Sequence, residues 1–152
     1  TVNKKTIDIT LLLDDLCTSV EELLQERNIN FMFDVLDTNI EVDADYDRIK
    51  QVLLNIVNNS MDALEKQKIK VIKLKMLQKN NKVIITIEDN GVGMNKEVLK
   101  RVGEAFYTTK KNGTGLGVKL SREIVELHDG VLTYKSKEGE GTTVKIVLPI
   151  KK

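Results

Sequence analysis

Two β-rich runs, residues 71–77 and 83–87, flank the pair Asn80-Asn81. Asparagine tolerates the left-handed backbone of a tight hairpin, so these runs are expected to be neighbouring antiparallel strands. Residues 131–136 and 142–148 read as a second hairpin around Gly139-Glu140-Gly141. Two hairpins exclude a sheet built purely from alternating helices and parallel strands. The remaining patterned segments are helical. Over residues 11–27, Leu12, Leu13, Leu16, Val20, Leu23 and Leu24 recur at helical spacing. Residues 46–66 carry a second stripe, Ile49, Val52, Leu53, Ile56, Met61 and Leu64, behind an acidic helix start at residues 43–47. Short strands are expected at residues 6–10 and 29–35, a short helix near 96–101, and a helix over 116–128 closed by Gly130. The order β-α-β-α-β-β, loop, α-β-β predicts an α+β sandwich, one sheet with helices on one face.

A chain of 152 residues suits a single domain over residues 1–152. With 24 basic against 23 acidic residues, the net charge of +1 predicts no bulk attraction to nucleic acid or to an anionic membrane. The one cysteine, Cys17, sits in an apolar helical pattern, reads as core and suits a reducing compartment. No apolar run is long enough to span a bilayer. A cytoplasmic location is expected, with a membrane-anchored parent left open.

Three stretches carry chemistry. On the second helix, Asn55, Asn59 and Asp62 are spaced by four and three, so they share a face, with Asn58 beside them. Asparagine costs a helix interior about a few tenths of a kcal/mol against alanine, and a merely solvated face usually carries Glu and Lys. A row of amide and carboxylate oxygens suits a hard cation such as Mg²⁺. Next, Asp89-Asn90-Gly91-Val92-Gly93 and Met94 follow a strand directly. An acid there can accept a hydrogen bond from an exocyclic amine, while glycines let backbone approach a flat ring. A simple Asn-Gly turn would leave the same pattern. Finally, Gly113-Thr114-Gly115-Leu116-Gly117 opens a helix, with Lys110, Lys111 and Lys119 nearby. Such amides favour an anion. The stretch is neither a Walker motif nor a dinucleotide fingerprint. Between them, Phe106-Tyr107-Thr108-Thr109-Lys110 places an aromatic pair in a long loop.

In this order the four features resemble the catalytic ATP-binding domain of sensor histidine kinases, within the group that includes gyrase, Hsp90 and MutL. Residues 55–60 resemble its N box, 89–93 its G1 box, 106–110 its F box and 113–117 its G2 box. The resemblance covers essentially the whole chain and is nearest to nitrogen-regulator and sporulation-type kinases. It implies the Bergerat-type sandwich, with one mixed, mostly antiparallel sheet. It implies ATP and Mg²⁺ as cofactors, with Asn59 on the metal and Asn55 on the phosphates or the metal shell. Asp89 would bind the adenine amino group, and the G2 glycines would cradle phosphates under a lid at about residues 103–112. Asn58, Asp62, Phe106, Thr108, Thr109 and Thr142 complete the expected nucleotide site. Many relatives carry Lys-Tyr where this chain has Asp62-Ala63, and an Arg near Thr108. Lys110 is therefore the candidate cation for the γ-phosphate, beside Asn55 as the other candidate catalytic residue.

The implied activity is transfer of the γ-phosphate of Mg-ATP to a histidine on the parent's dimerisation and phosphoacceptor segment, expected upstream of Thr1. A response regulator would be served through the full-length kinase, and the isolated domain is expected to be monomeric. An ATPase clamp would carry Glu at the position of Asn55, and an amide is a poor general base. The same residues are compatible with an anti-sigma serine kinase and with a non-catalytic nucleotide-gated module. The lone histidine, His128, precedes Asp129 but lies at a helix end, which argues against a phosphoacceptor role.

Overall fold

Asn80 and Asn81 both take the left-handed backbone, at φ 53° and 62°, and join β4 (Val71–Lys79) to β5 (Lys82–Asp89) as a two-residue hairpin. The computed structural model describes residues 1–102 and 117–151. Its other elements are β1 (Lys5–Asp8), α1 (Ile9–Glu26), β2 (Asn30–Val35), β3 (Glu41–Ala44), α2 (Tyr46–Ala63), α3 (Lys96–Arg101), α4 (Gly117–Leu127), β6 (Val131–Lys137) and β7 (Gly141–Pro149).

The main sheet has the order β2-β4-β5-β7-β6. Only the β2–β4 pair is parallel; the other three are antiparallel. The expected mixed sandwich is present. One element was not expected: β3 forms with β1 a separate two-stranded antiparallel sheet. Residues 43 and 44 close this strand rather than open the helix, and Asp45 alone supplies the N-cap, its Oδ1 accepting from Arg48 N at 3.3 Å. The first helix begins at Ile9, capped by Asp8, which truncates the strand expected at residues 6–10.

The core follows the two periodicities. Leu12, Leu13, Leu16, Val20 and Leu24 of α1, and Ile49, Val52, Leu53 and Ile56 of α2, are buried. They share the core with the inward alternate residues Ile72, Leu74, Met76, Val83, Ile85, Ile87, Val144, Ile146 and Leu148. Cys17 is half-buried rather than core, and burial pushes its thiol up to about 11. Between the helices, the Tyr46 hydroxyl donates to Asp15 Oδ2 at 2.7 Å, and Lys50 Nζ lies 3.2 Å from the same oxygen. The Tyr46 bond, then Lys50, holds the Asp15 carboxyl below its ordinary value.

The end of α4 differs in detail from expectation. Asp129, not Gly130, takes the left-handed conformation, at φ 58°. Gly130 is needed for packing, because a Cβ there would lie 2.5 Å from the Val147 carbonyl oxygen. His128, only 2% exposed, uses both ring nitrogens. Nδ1 lies 2.7 Å from the Ile124 carbonyl, and Nε2 accepts from the Asp45 backbone N–H at 2.9 Å. This requires the neutral ring with its proton on Nδ1. The histidine ties the last turn of α4 to the N-cap of α2, and it is too enclosed to accept a phosphoryl group. His128→Ala leaves a cavity and an orphaned Asp45 N–H. It should cost about 2–4 kcal/mol, read as a lower urea midpoint at unchanged slope.

Candidate functional site

Helix α2 is packed against α1, α4 and the sheet, and its asparagines occupy the remaining strip. Asn55 and Asn59 are half-buried; Asn58 and Asp62 are exposed. Asp62 Oδ1 lies 3.6 Å from Arg27 at the C-cap of α1, so it faces that helix end. Asn55 faces the other way, toward α4. Its Nδ2 donates to Ser121 Oγ at 3.3 Å, and its amide lies against Gly117, the first residue of α4.

Strand β5 carries Asp89 to the edge of this strip. The β alternation that buries Val83, Ile85 and Ile87 also turns Asp89 toward the helices, and it is only 6% exposed. Its Oδ1 accepts from Gly91 N at 2.9 Å. The Ser60 hydroxyl from α2 and the Thr142 backbone N–H from β7 are its other donors. Burial pushes the Asp89 carboxyl above its ordinary value, and the three donors oppose this without cancelling it. A carboxylate offers about four lone-pair positions, so three protein donors leave room for one more. That donor can be an exocyclic amine.

The segment after Asp89 divides its labour. Asn90 is structural: Oδ1 accepts from Val71 N and Nδ2 donates to the Ile69 carbonyl, both at 2.8 Å, fastening the segment to the start of β4. At Gly91, a Cβ would lie 2.7 Å from both Cβ and the carbonyl oxygen of Ala63, so the chain can pass the end of α2 only without a side chain. Gly93 takes φ 69° and lies against the Lys137 carbonyl, where a Cβ would clash. Met94 N donates to Ser136 Oγ at 2.8 Å, and Ser136 contacts Thr142 Oγ1 at 2.8 Å. Gly93, Met94 and Thr142 are therefore joined through the β6–β7 hairpin.

The structure brings Asn55 and Gly117 together at one side of α2, and Asp89, Gly91 and Thr142 together at the end of β5. Phe106, Thr108, Thr109, Lys110, Gly113, Thr114, Gly115 and Leu116 lie outside the described residues. Ser60 and Ser136 were not anticipated. Ser60 did leave a signal, a hydroxyl four residues after Ile56 on an otherwise apolar stripe. A shallow cleft of about 300 Å³ at this end of the sheet includes Glu88, Lys135 and Thr143, whose side chains alternate to the uncovered face. The Asp89 carboxylate points to the opposite, helix-covered side.

Residues 44–152 match the family described as Histidine kinase-, DNA gyrase B-, and HSP90-like ATPase. Among curated proteins, sporulation kinase E of Bacillus subtilis (strain 168) is 33% identical over 143 residues, covering 94% of this chain and 19% of the kinase. Sensor protein DegM of Bacillus sp. (strain B21-2) is 40% identical over 128 residues, covering 84% of this chain and 34% of that protein. The chain thus spans about a third or less of the length of these relatives. The solved catalytic domain of histidine kinase ThkA, in a nucleotide-free form, superposes with a TM-score of 0.87 at 29% identity, over 97% of this chain and 96% of that one. ThkA in complex with the response regulator protein TrrA superposes with a TM-score of 0.83 at 26% identity, over 97% of this chain and 42% of the other. By its matched residues, its sandwich and its similarity to these kinase domains, the chain belongs to the histidine kinase-, DNA gyrase B- and HSP90-like ATPase family.

Proposed function

We propose that this domain binds Mg-ATP and delivers its γ-phosphate to a histidine on a dimerisation and phosphoacceptor segment of a longer two-component kinase. The observation that carries the reading is Asp89: a buried carboxylate with three protein donors and one acceptor position left, facing a helix lined with amides. This suits the adenine amino group. Gly91 and Gly93 keep side chains out of the adjoining backbone.

The donor set on α2 also suits the cation. Amide oxygens of Asn55 and Asn59 are hard ligands of the kind Mg²⁺ accepts. Among the described residues, no three His, Cys, Asp or Glu side chains converge in a metal-binding group. Mg²⁺ held here would draw most of its ligands from phosphate and water, so metal and nucleotide would bind as a unit. When bound, it would neutralise phosphate charge. Asn59 is assigned to the metal, Asn55 to the metal shell or phosphates, and Lys110 to the γ-phosphate. An amide at Asn55 cannot take a proton from water at neutral pH, which favours transfer over hydrolysis. Through the longer protein the phosphoryl group would pass to a response regulator. The isolated domain is proposed to be a monomer in the cytoplasm.

Four measurements test this. Incubation of the domain with its parent's phosphoacceptor segment and γ-labelled ATP should yield an acid-labile, alkali-stable phosphohistidine; a product lacking it would falsify the assignment. Asp89→Asn should weaken ATP-analogue binding by roughly 100-fold or more in calorimetry, since an amide NH₂ can face the incoming amine. In the wild type, affinity should fall on acidification with a midpoint above the ordinary aspartate value of about 3.9, because burial raises the Asp89 pKa. The sign separates this from unfolding. A raised carboxyl pKa contributes stability in acid and loses it as pH rises through the folded value, so acid loss of binding does not come from Asp89 destabilising the fold. Asn59→Ala should bring the ratio of affinities with and without Mg²⁺ close to one; an unchanged ratio places the metal elsewhere.

A further inference from the structure

We propose that Ser121 is a positioning residue for Asn55, holding its amide so that oxygen, not nitrogen, is the end offered to a nucleotide-bound cation. The inference rests on the nucleotide-site reading above and adds a residue outside the four sequence boxes.

Gly117, Ser121 and Val125 are spaced by four along α4, so they share one face, and Ser121 and Val125 are buried on it, Ser121 only 3% exposed. A serine is out of place in such a stripe: alanine would pack as well and favours the helix more. A buried hydroxyl needs a partner. Asn55 supplies it, Nδ2 donating to Ser121 Oγ at 3.3 Å. Gly117 completes the clamp. A Cβ on Gly117 would lie 2.9 Å from Asn55 Oδ1, 3.0 Å from Nδ2 and 3.3 Å from Cγ, so the whole amide rests broadside on the glycine. The glycine sets the plane of the amide. A serine hydroxyl inside a helix can give its own proton to a carbonyl one turn back, which leaves Oγ as an acceptor for the nitrogen end.

That choice matters because the two ends of an amide are nearly the same shape and opposite in chemistry. An NH₂ end facing a divalent cation repels it, whereas the carbonyl oxygen is a hard ligand or a good acceptor for a metal-bound water. With Nδ2 committed to Ser121, the oxygen is the end left. A bond of 3.3 Å is at the long end of the range, so its loss should be felt as a modest change in affinity.

The test is a double-mutant cycle by calorimetry on the domain, using a non-hydrolysable ATP analogue with and without Mg²⁺. Ser121→Ala should weaken Mg²⁺-dependent affinity about 3- to 10-fold, with metal-free affinity and thermal midpoint nearly unchanged. In an Asn55→Ala background the same substitution should do nothing further. In nucleotide-free, metal-free protein, the Asn55 side-chain amide protons should exchange faster with water in Ser121→Ala. Additive losses in the double variant, equal losses with and without Mg²⁺, or unaltered Asn55 exchange overturn the inference. If the wild type binds and Asn55→Ala weakens it while Ser121→Ala does not, only this inference falls. A wild type without affinity removes the site reading itself.

Discussion

Helix α2 is enclosed by α1, by the sheet and by α4, and seven of its eighteen residues are buried. What remains is a narrow polar strip, and the geometry of that strip decides which side chains fit. Asn55 and Asn59 are half-buried in it, and Asn55 lies flat on Gly117. Lysine or glutamate, the usual residues of an exposed helix face, would have to extend through the space α4 occupies. A short amide fits and still presents an oxygen. The helix-propensity cost of Asn55 is thus offset by its packing on α4, and that packing is what aims it.

The second constraint is the burial of Asp89, and it ties the site to the assembly of the fold. Its three donors come from three places: Ser60 from α2, Gly91 from the following loop and Thr142 from β7. The register pairs Asp89 with Thr142 and Ile87 with Val144. A slip of one residue would turn Asp89 to the uncovered face and carry the apolar row with it. The hydrophobic pattern of β5 and β7 therefore fixes the carboxylate as firmly as its hydrogen bonds do. Desolvation and donation pull its proton affinity in opposite directions, and desolvation wins. The charge is held ready for a further donor rather than fully satisfied.

Much of this was legible in residue order because the signals are local. Asn80-Asn81 announced the hairpin, the leucine spacing announced α1, and the alternate glycines after Asp89 announced a close backbone passage, which Gly91 makes at the end of α2. The failures are equally physical. Strand β3 has only Val42 and Ala44 to bury, too few to show a period, and its acids resemble a helix start. Asp129 rather than Gly130 takes the positive φ because the glycine is committed to packing under β7. The roles of Ser60, Ser136 and His128 depend on partners 29, 42 and 83 residues away. No window of local sequence contains them.

The polarity of α2 also bears on where a base must come from in the proposed transfer. Asn55 is an amide, and Asp62, the acid two turns further on, is directed toward Arg27 at the end of α1. Neither is arranged to take a proton from an attacking group beside Asn55. Water at this position would meet an amide in the place where a hydrolase needs a carboxylate. An acceptor imidazole differs, because a neutral ring nitrogen attacks through its own lone pair and a group on its own segment can take the ring proton. On the proposed reading, the domain need only hold the nucleotide and its charge, and the acceptor segment must bring the proton chemistry. That division follows from one amide on α2, and it explains how a site with no base on that helix beside Asn55 can serve transfer while disfavouring loss of phosphate to solvent.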